Sequence, residues 1–478
     1  MEVKLPKKSE DVNEWYNQIV EAAGLCDKRY PIQGCNVWTP YGWKAMQNID
    51  KYIREEMERT HHEEVNFPLL IPESLFAKEA EHIKGFGGEV YWVTHAGNNE
   101  LSERLLLRPT SETAMYPMFA LWVRSHADLP LKVFQLVNTF RYETKQTRAF
   151  IRIREIHFFE AHTCHVDFED AERQIKEDLE IVKRLFKRLA LPYVMNKRPE
   201  WDKFAGAFYS IGLDVLMPSG KSLQLGSVHQ YKTNFSEPYE IKYEAPDGSH
   251  KFAHQTTYGM SERLLGAIVL MHGDDKGLVL PPDVAPIQIV MVPIIFKGKE
   301  QKVLEACKKV LESLESKGLR VRLDDRELTP GNKYYEWELK GVPLRIEIGP
   351  RDVDGGKMVL VRRDTGSKNL VGLGDADAVR NELEAVRKAL WKKAEDVMAN
   401  KNIAVKTLDE AKALRASGYE GMIRTPWCGA DGCGHEAEAA LEMKTLGTPA
   451  EGEKPGEGAR CAVCGAPAKE IIVMARSY

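Results

Sequence analysis

The sequence predicts an α/β (α+β) protein of several domains, and three observations lead there. Short apolar stretches divided by turn residues run from Phe204 to Tyr258 and suit antiparallel hairpins. After Ile287, strand-like and helix-like patterns alternate, as in a small α/β domain with a mixed sheet. Between the two regions, Leu278-Val279-Leu280-Pro281-Pro282-Asp283-Val284-Ala285-Pro286 breaks regular structure, because prolines remove donors and fix the backbone. A chain of 478 residues is also too long for one core.

From Gly42 to Thr60 the apolar residues Trp43, Met46, Ile49, Ile53 and Met57 recur every three or four positions, which is one face of a helix. An extended stretch, Val65 to Ile71, is expected next. Asp167 can cap a second long helix with the stripe Ile175, Leu179, Val182, Phe186 and Leu189, ending before Pro192. The hairpins turn at Pro218-Ser219-Gly220 and Pro246-Asp247-Gly248. Beyond the proline break come a strand at Ile287 to Val292 and a helix bearing Val303, Cys307, Val310, Leu311 and Leu314, followed by a strand at Leu319 to Leu323. A helix at Lys333 to Leu339 then leads to strands at Leu344 to Ile348 and Met358 to Val361. A last long helix, Asp377 to Met398, enters a cysteine-bearing C-terminal module, where Gly447 to Gly458 is rich in Gly, Pro and Glu and is expected to be mobile. The expected divisions are 1–280, 286–372, a connecting helix at 373–400, and a small α+β module at 401–478. No internal repeat is visible.

Apolar residues at 43% and charged residues at 29% are ordinary globular usage and exclude disordered and fibrous classes. A net charge of -4 shows no overall basic bias, so any nucleic acid must be met by local patches. Met1 to Glu10 is polar and no apolar run approaches the ~18 residues of a membrane span, so a cytoplasmic protein without membrane contact is expected. Of eight cysteines, Cys26, Cys35, Cys164 and Cys307 are scattered. Cys428-x4-Cys433 and Cys461-x2-Cys464 have the spacing of a closed four-thiolate structural Zn²⁺ site, with four free thiols as the alternative.

Candidate site residues are densest in Arg108-Pro109-Thr110-Ser111-Glu112-Thr113, Thr139-Phe140-Arg141-Tyr142-Glu143, Arg148 to Arg154 and Glu160-Ala161-His162. Arginines set on short extended segments suit phosphate, since each guanidinium offers a fixed fork to two oxygens. A further arginine lies in Gly259-Met260-Ser261-Glu262-Arg263, where a helix start adds free amides and the positive end of a dipole. Taken singly, Pro109 to Glu112 equally suits a helix opening, and Arg148 to Arg154 a solvated strand face. There is no phosphate-loop lysine motif, dinucleotide glycine fingerprint or kinase motif set, so a nucleotide site must be built differently.

Together these segments resemble the class II aminoacyl-tRNA synthetases, and among them the prolyl family of archaeal and eukaryotic type, over essentially the whole chain. Gly34 to Pro72, a helix and then a strand ending in Phe67-Pro68, is similar to motif 1, the dimer-forming element. Phe140-Arg141-Tyr142-Glu143 with the loop to Arg152 is similar to motif 2, and Gly259 to Arg263 to motif 3. Arg108 to Glu112, Lys203-Phe204-Ala205-Gly206, His272-Gly273-Asp274 and Gly277 to Pro282 narrow the resemblance to the proline enzymes.

The resemblance implies an antiparallel-sheet catalytic domain, a mixed-sheet α/β anticodon-binding domain and a small zinc-binding domain. It implies attachment of L-proline to tRNA(Pro) through a prolyl-adenylate, with ATP as substrate, Mg²⁺ on the phosphates, and a homodimer formed through motif 1. Arg141 would hold the α-phosphate and the proline carboxylate, Glu143 the adenine amino group, and Arg152 and Arg263 the γ-phosphate. Gln224, Ser227 and Ser261 would line the nucleotide. Thr110 and Glu112 would receive the cationic amine of proline, His229 would close the pocket, and Phe158 and Phe204 would flank the ring. Glu160 and His162 would support them, although His162 alone also fits a satisfied core histidine. Phe158 and Ser227 stand where many members carry tryptophan and threonine.

Glu338, Lys340, Arg345 and Arg351 are the implied readers of anticodon bases, for which arginine and lysine are suitable donors to guanine. Each also fits a plain surface charge. Tyr478 resembles the family's terminal tyrosine, whose carboxylate turns back toward the active site, with a frayed end as the alternative. No editing domain separates motifs 2 and 3, so activation of alanine and cysteine without cis editing is expected. The competing class is a synthetase-like adaptor without catalysis. Loss of the phosphate arginines would mark it, and Arg141, Arg152 and Arg263 are all present.

Overall fold

The computed structural model describes residues 5–78, 88–296 and 298–478, so the first four residues of the polar N-terminal stretch lie outside it. Helix α1, Val12–Ala22, starts on Asp11, whose carboxylate accepts from the Asn13 and Glu14 amides. Helix α2, Pro40–Arg59, is capped by the Thr39 hydroxyl, with Pro40 at a position where no N–H is missed. Its predicted face is the buried one, with Met46, Ile49, Ile53 and Met57 inside.

The strand expected at Val65 to Ile71 is interrupted. Leu70–Pro72 pairs with Leu105 to Leu107, but before it only β1, Glu63–Glu64, pairs, with Val133 and Phe134. After β1, the Phe67 and Pro68 carbonyls accept from the Arg108 guanidinium at 2.6 and 3.3 Å, and the Phe67 amide donates to the Gln135 side chain. Side chains have taken the groups a ladder would need.

Helix α3, Glu112–Trp122, is followed by the long strands β2, Leu131–Phe140, and β3, Glu155–His165. Helix α4, Phe168–Arg188, is capped by Asp167 as expected, with acids in its first turn and Lys187 and Arg188 in its last, matching the helix dipole. Then come β4, Val194–Lys197; β5, Tyr209–Leu216; β6, Ser222–Lys232; β7, His254–Ser261; and helix α5, Arg263–His272, buried almost throughout.

The proline break is a packed strap rather than an exposed tether. Leu278, Leu280, Val284 and Ala285 belong to the main core, and the Leu278 and Leu280 amides donate to Leu339 and Gly341. Beyond it lie β8, Ile289–Pro293; helix α6, Glu300–Ser316; β9, Val321–Leu323; helix α7, Pro330–Leu339; β10, Leu344–Ile348; β11, Lys357–Arg362; and β12, Lys368–Gly372. They form a mixed sheet in the order β9-β8-β10-β11-β12, parallel in its first two pairs and antiparallel in the rest. Helix α8, Ala376–Asn400, buries Val379, Leu383, Val386 and Leu390 against that sheet, Ala394 in the main core and Met398 beside the C-terminal strands.

The last segment supplies β13, Asn402–Ala404; helix α9, Leu408–Ala416; β14, Met422–Trp427; helix α10, Asp431–Leu441; β15, Lys444–Pro449; and β16, Glu470–Ala475. Gly447 to Pro449, expected to be mobile, is strand. β15 pairs with β4, and Gly447 comes so close that a Cβ there would stand 2.1 Å from the Lys197 carbonyl oxygen. One sheet therefore runs β13-β14-β16-β15-β4-β5-β6-β7-β3-β2-β1 among the described residues, antiparallel except at its two edge pairs. No helix among the described residues is long and apolar enough to cross a membrane.

Candidate active site

The site lies on one face of the sheet, over β5, β6, β7, β3 and β2. Cross-strand partners share a face, so pairing registers collect the site side chains into rows. One row reads Gly212, Ser227, Gly259, Glu160 and Gln135; the next reads Ser210, His229, Thr257 and His162. The glycines make room. A Cβ on Gly259 would stand 2.7 Å from the Phe158 ring, and one on Gly212 2.2 Å from the Arg198 guanidinium, so both large groups lie flat on the sheet.

Above these rows is a cavity of about 330 Å³. Arg141, Glu143, Arg152, Gln224, Ser227, Ser261, Arg263, Thr110, Glu112, Phe158, Glu160, Phe204 and His229 all line it. Three guanidinium groups face one end. Arg141 donates to the Pro109 carbonyl at 3.0 Å, and Arg263 to those of Ile151 and Gln224 at 2.8 and 3.3 Å. Arg152 donates to the backbone oxygen of Tyr478 at 2.9 Å and lies 3.7 Å from the Glu143 carboxylate. Burial, then repulsion from Arg141, brings Arg263 down to about 10, and burial lowers Arg141 too. Carbonyls fix Arg263 in place, Glu143 lies beside Arg152, and the cluster offers several guanidinium donors to an entering polyanion.

Glu262, at the start of α5, also lines the cavity. Burial pushes its carboxyl up to about 8, and neither oxygen has a hydrogen-bond partner among the described residues. The amides expected to be free here are partly used: Glu262 donates to the His157 carbonyl and Arg263 to the Ser261 hydroxyl.

The opposite end is a closed polar network. Glu112 accepts from the Thr110 hydroxyl at 2.6 Å and from the Tyr231 hydroxyl at 2.8 Å. Glu160 accepts from Ser111, from Gln135 at 2.9 Å and from His162 at 3.1 Å; burial alone would raise its carboxyl, but these donors outweigh burial and hold it low. His162 does not line the cavity. It lies behind Glu160 and pairs with the Tyr116 hydroxyl, a support and not a wall. His229 is pushed down to about 3 by burial and stays neutral between the hydroxyls of Ser210 at 2.7 Å and Ser227 at 2.8 Å. Phe204 packs on it with ring centres 4.6 Å apart.

Other arginines of the predicted cluster have different tasks. Arg108 is spent on three carbonyls, Arg148 donates to Asn13, and Arg154 lies over the Tyr142 ring. Sequence reasoning passed over Glu89, Arg198, Asp202 and Ser210, all of which line the cavity, and Glu262, which it quoted only inside its motif. A cation at Arg198 inside a strand-forming stretch was the one usable signal.

Of the four base-reading candidates, Glu338 and Arg345 form a pair at 3.2 Å, and Arg345 stacks 3.7 Å over the Tyr334 ring. Lys340 pairs with Glu336 instead, and Arg351 is exposed on a short helix, Pro350–Asp354. The four do not form one cluster.

The sulfurs of Cys428, Cys433, Cys461 and Cys464 all lie within 4.8 Å of one another. Cys428 and Cys464 are 3.8 Å apart, the edge of a tetrahedron of thiolates ~2.3 Å from zinc. Burial raises the Cys461 thiol, but the amides of Cys464, Val463 and Cys428 outweigh it and bring the thiol down to about 7. Among the described residues no other group of three or more His, Cys, Asp or Glu side chains is placed to hold a metal.

Comparison with known proteins covers the whole chain. Residues 91–272 match the class II tRNA synthetase core domain (G, H, P, S and T), 288–383 an anticodon binding domain, and 408–478 the C-terminal domain of prolyl-tRNA synthetase. The proline–tRNA ligases of Thermococcus kodakarensis and Pyrococcus abyssi are each 56% identical, over 100% of both chains. The Giardia lamblia prolyl-tRNA synthetase in complex with prolyl-adenylate is 38% identical with a TM-score of 0.95, covering 99% of this chain and 100% of that one.

Proposed function

We propose that this chain, which belongs to the class II prolyl-tRNA synthetases, joins L-proline to ATP as prolyl-adenylate and transfers it to tRNA(Pro). The observation that carries this reading is the two-ended cavity, with the Arg141, Arg152 and Arg263 guanidinium groups facing a closed acidic network across one sheet face.

In this reading Glu112 receives the secondary ammonium of proline, a cation that offsets the cost of a buried carboxylate. Thr110 and Tyr231 orient it, and Glu160 holds Ser111 beside it. Arg141 spans the proline carboxylate and the α-phosphate, so the attacking oxygen is presented to phosphorus and the charge that develops there meets a fixed cation. Arg152 and Arg263 hold the γ-phosphate, Glu143 accepts from adenine, and Gln224, Ser227 and Ser261 border the nucleotide. Mg²⁺ would enter with the phosphates and neutralise part of their charge.

Residues 1–280 would be the catalytic domain and 286–372 the anticodon domain, with 373–400 connecting them to a zinc domain at 401–478. Glu338, Lys340, Arg345 and Arg351 remain the proposed anticodon readers. The four cysteines would hold one structural Zn²⁺, for which a reducing cytoplasm is the fitting compartment. A homodimer through motif 1 is supported by exposed Leu69, Leu70, Leu121 and Trp122 near that element.

Between β3 and β5 only α4 and the short β4 intervene, which supports a reading without an inserted editing domain. The proline pocket then rejects alanine only through missing methylenes, worth ~1 to 3 kcal/mol, and cysteine hardly at all. Pyrophosphate exchange with all twenty amino acids tests activity and specificity together. Proline should lead, with alanine and cysteine measurable; no proline-dependent exchange would overturn the reading. Metal analysis should find about one zinc per chain, and none after Cys461→Ser with Cys464→Ser.

A further inference from the structure

The segment from Asn196 to Ser210 joins the amino-acid end of the cavity to the cysteine module. Asn196 and Lys197 pair with β15, and the Arg198 guanidinium donates to the Leu446 carbonyl at 2.5 Å while pairing with Asp214 at 2.8 Å. Two turn bonds follow, from the Asp202 and Lys203 amides to the Pro199 carbonyl. Phe204 is then held by its amide, which donates to Ser210, the hydroxyl that also pairs with His229.

Trp201 stands in the middle of this segment and does not line the cavity, although Arg198, Asp202 and Phe204 do. Its ring goes the other way, into the core of the C-terminal module, and it is the one member of that cluster drawn from outside residues 405–474 among the described residues. It meets Trp427 edge-on at 6.1 Å between centres and His435 at 4.5 Å. Gly434, next to Cys433, is what admits it, since a Cβ there would stand 2.4 Å from the ring.

We infer that Trp201 is a positioning residue for amino-acid binding: by docking on the cysteine module it sets Phe204 against His229, so the C-terminal module forms part of the amino-acid site. The inference rests on proline being the substrate and adds the element that shapes its pocket. Two residues, Asp202 and Lys203, separate the anchor from the ring it places, and the bonds from their amides to the Pro199 carbonyl leave little slack. The nucleotide end is held by Pro109, Ile151 and Gln224 carbonyls and does not depend on this segment.

The test is pyrophosphate exchange on the full chain, varying proline at saturating ATP and ATP at saturating proline, with melting followed in parallel. Trp201→Ala should raise the proline KM roughly tenfold and leave the ATP KM within about twofold, and Trp201→Phe should recover most of the loss. Gly434→Val, which touches no cavity residue, should give the same split by displacing the ring. Should these variants fail to fold, His435→Ala at its exposed helix position should still raise the proline KM about two- to fourfold. Folded variants with an unchanged proline KM, or with both KM values rising together, would overturn the inference. A wild-type chain that activates another amino acid and not proline would instead overturn the proposed function, and with it the substrate named here.

Discussion

The two ends of the cavity are built on opposite principles. At the arginine end, Arg141 and Arg263 are half-buried, held by backbone carbonyls and close enough to repel. At the acidic end, Glu112 and Glu160 are each satisfied by two or three donors. The first gathers cations that a triphosphate would neutralise; the second is complete and offers one small, shaped opening. Affinity for a polyanion needs charge in waiting, whereas selecting among small amino acids needs rigidity, and one sheet face carries both.

The largest effect should come from the arginine end. Arg141→Ala or Arg263→Ala should cut proline-dependent exchange by about a thousandfold or more, yet leave the melting temperature level or higher, because removing one cation relieves repulsion. A variant exchanging at near the wild-type rate would break the contrast. At the acidic end, Glu112→Gln should raise the proline KM roughly 10- to 100-fold and also lower the melting temperature, since Thr110 and Tyr231 donate to different oxygens and one of them would face an NH2 that cannot accept. Equal melting temperatures would show that the network is not what holds this end.

A smaller, purely thermodynamic effect separates Glu262 from the other acids. Its folded value of about 8 exceeds the ordinary 4.5, so between those pH values the native state holds a proton that the unfolded chain has lost. Its contribution is complete below about pH 4.5 and is lost as the pH rises toward 8. Glu262→Gln keeps the shape without the titration. Its melting temperature should gain on the wild type by a few degrees from pH 5 to pH 9, and a constant difference would refute the assignment.

Much of this was legible in the sequence. The periodicity of Met46, Ile49, Ile53 and Met57, and Asp167 ahead of its stripe, predicted helices that the structure contains. The three cavity arginines and the acids facing them lay in motifs whose order and spacing carried the family. What escaped were choices made by distant partners. Arg108 looked like a phosphate ligand until the Phe67, Pro68 and Asn138 carbonyls took its guanidinium. Gly447 read as a flexible residue because sequence does not show that a neighbouring backbone passes close by. The isolation of Arg351 and the pairing of Glu338 with Arg345 likewise depend on how helices and strands of one domain pack.

The pairing of β4 with β15 also has a consequence in time. A ribosome makes β4 about 250 residues before the strand that covers its edge, and at 5–20 residues per second that gap lasts roughly 10 to 50 s. Through it, the nascent catalytic sheet presents an open row of backbone donors and acceptors, the kind of edge on which strands of other chains add. Lys197 at its end and the crowded Arg198 beside it make that edge a poor template for a stranger. A strand translated long after β4 therefore closes the sheet, and order of synthesis becomes order of assembly.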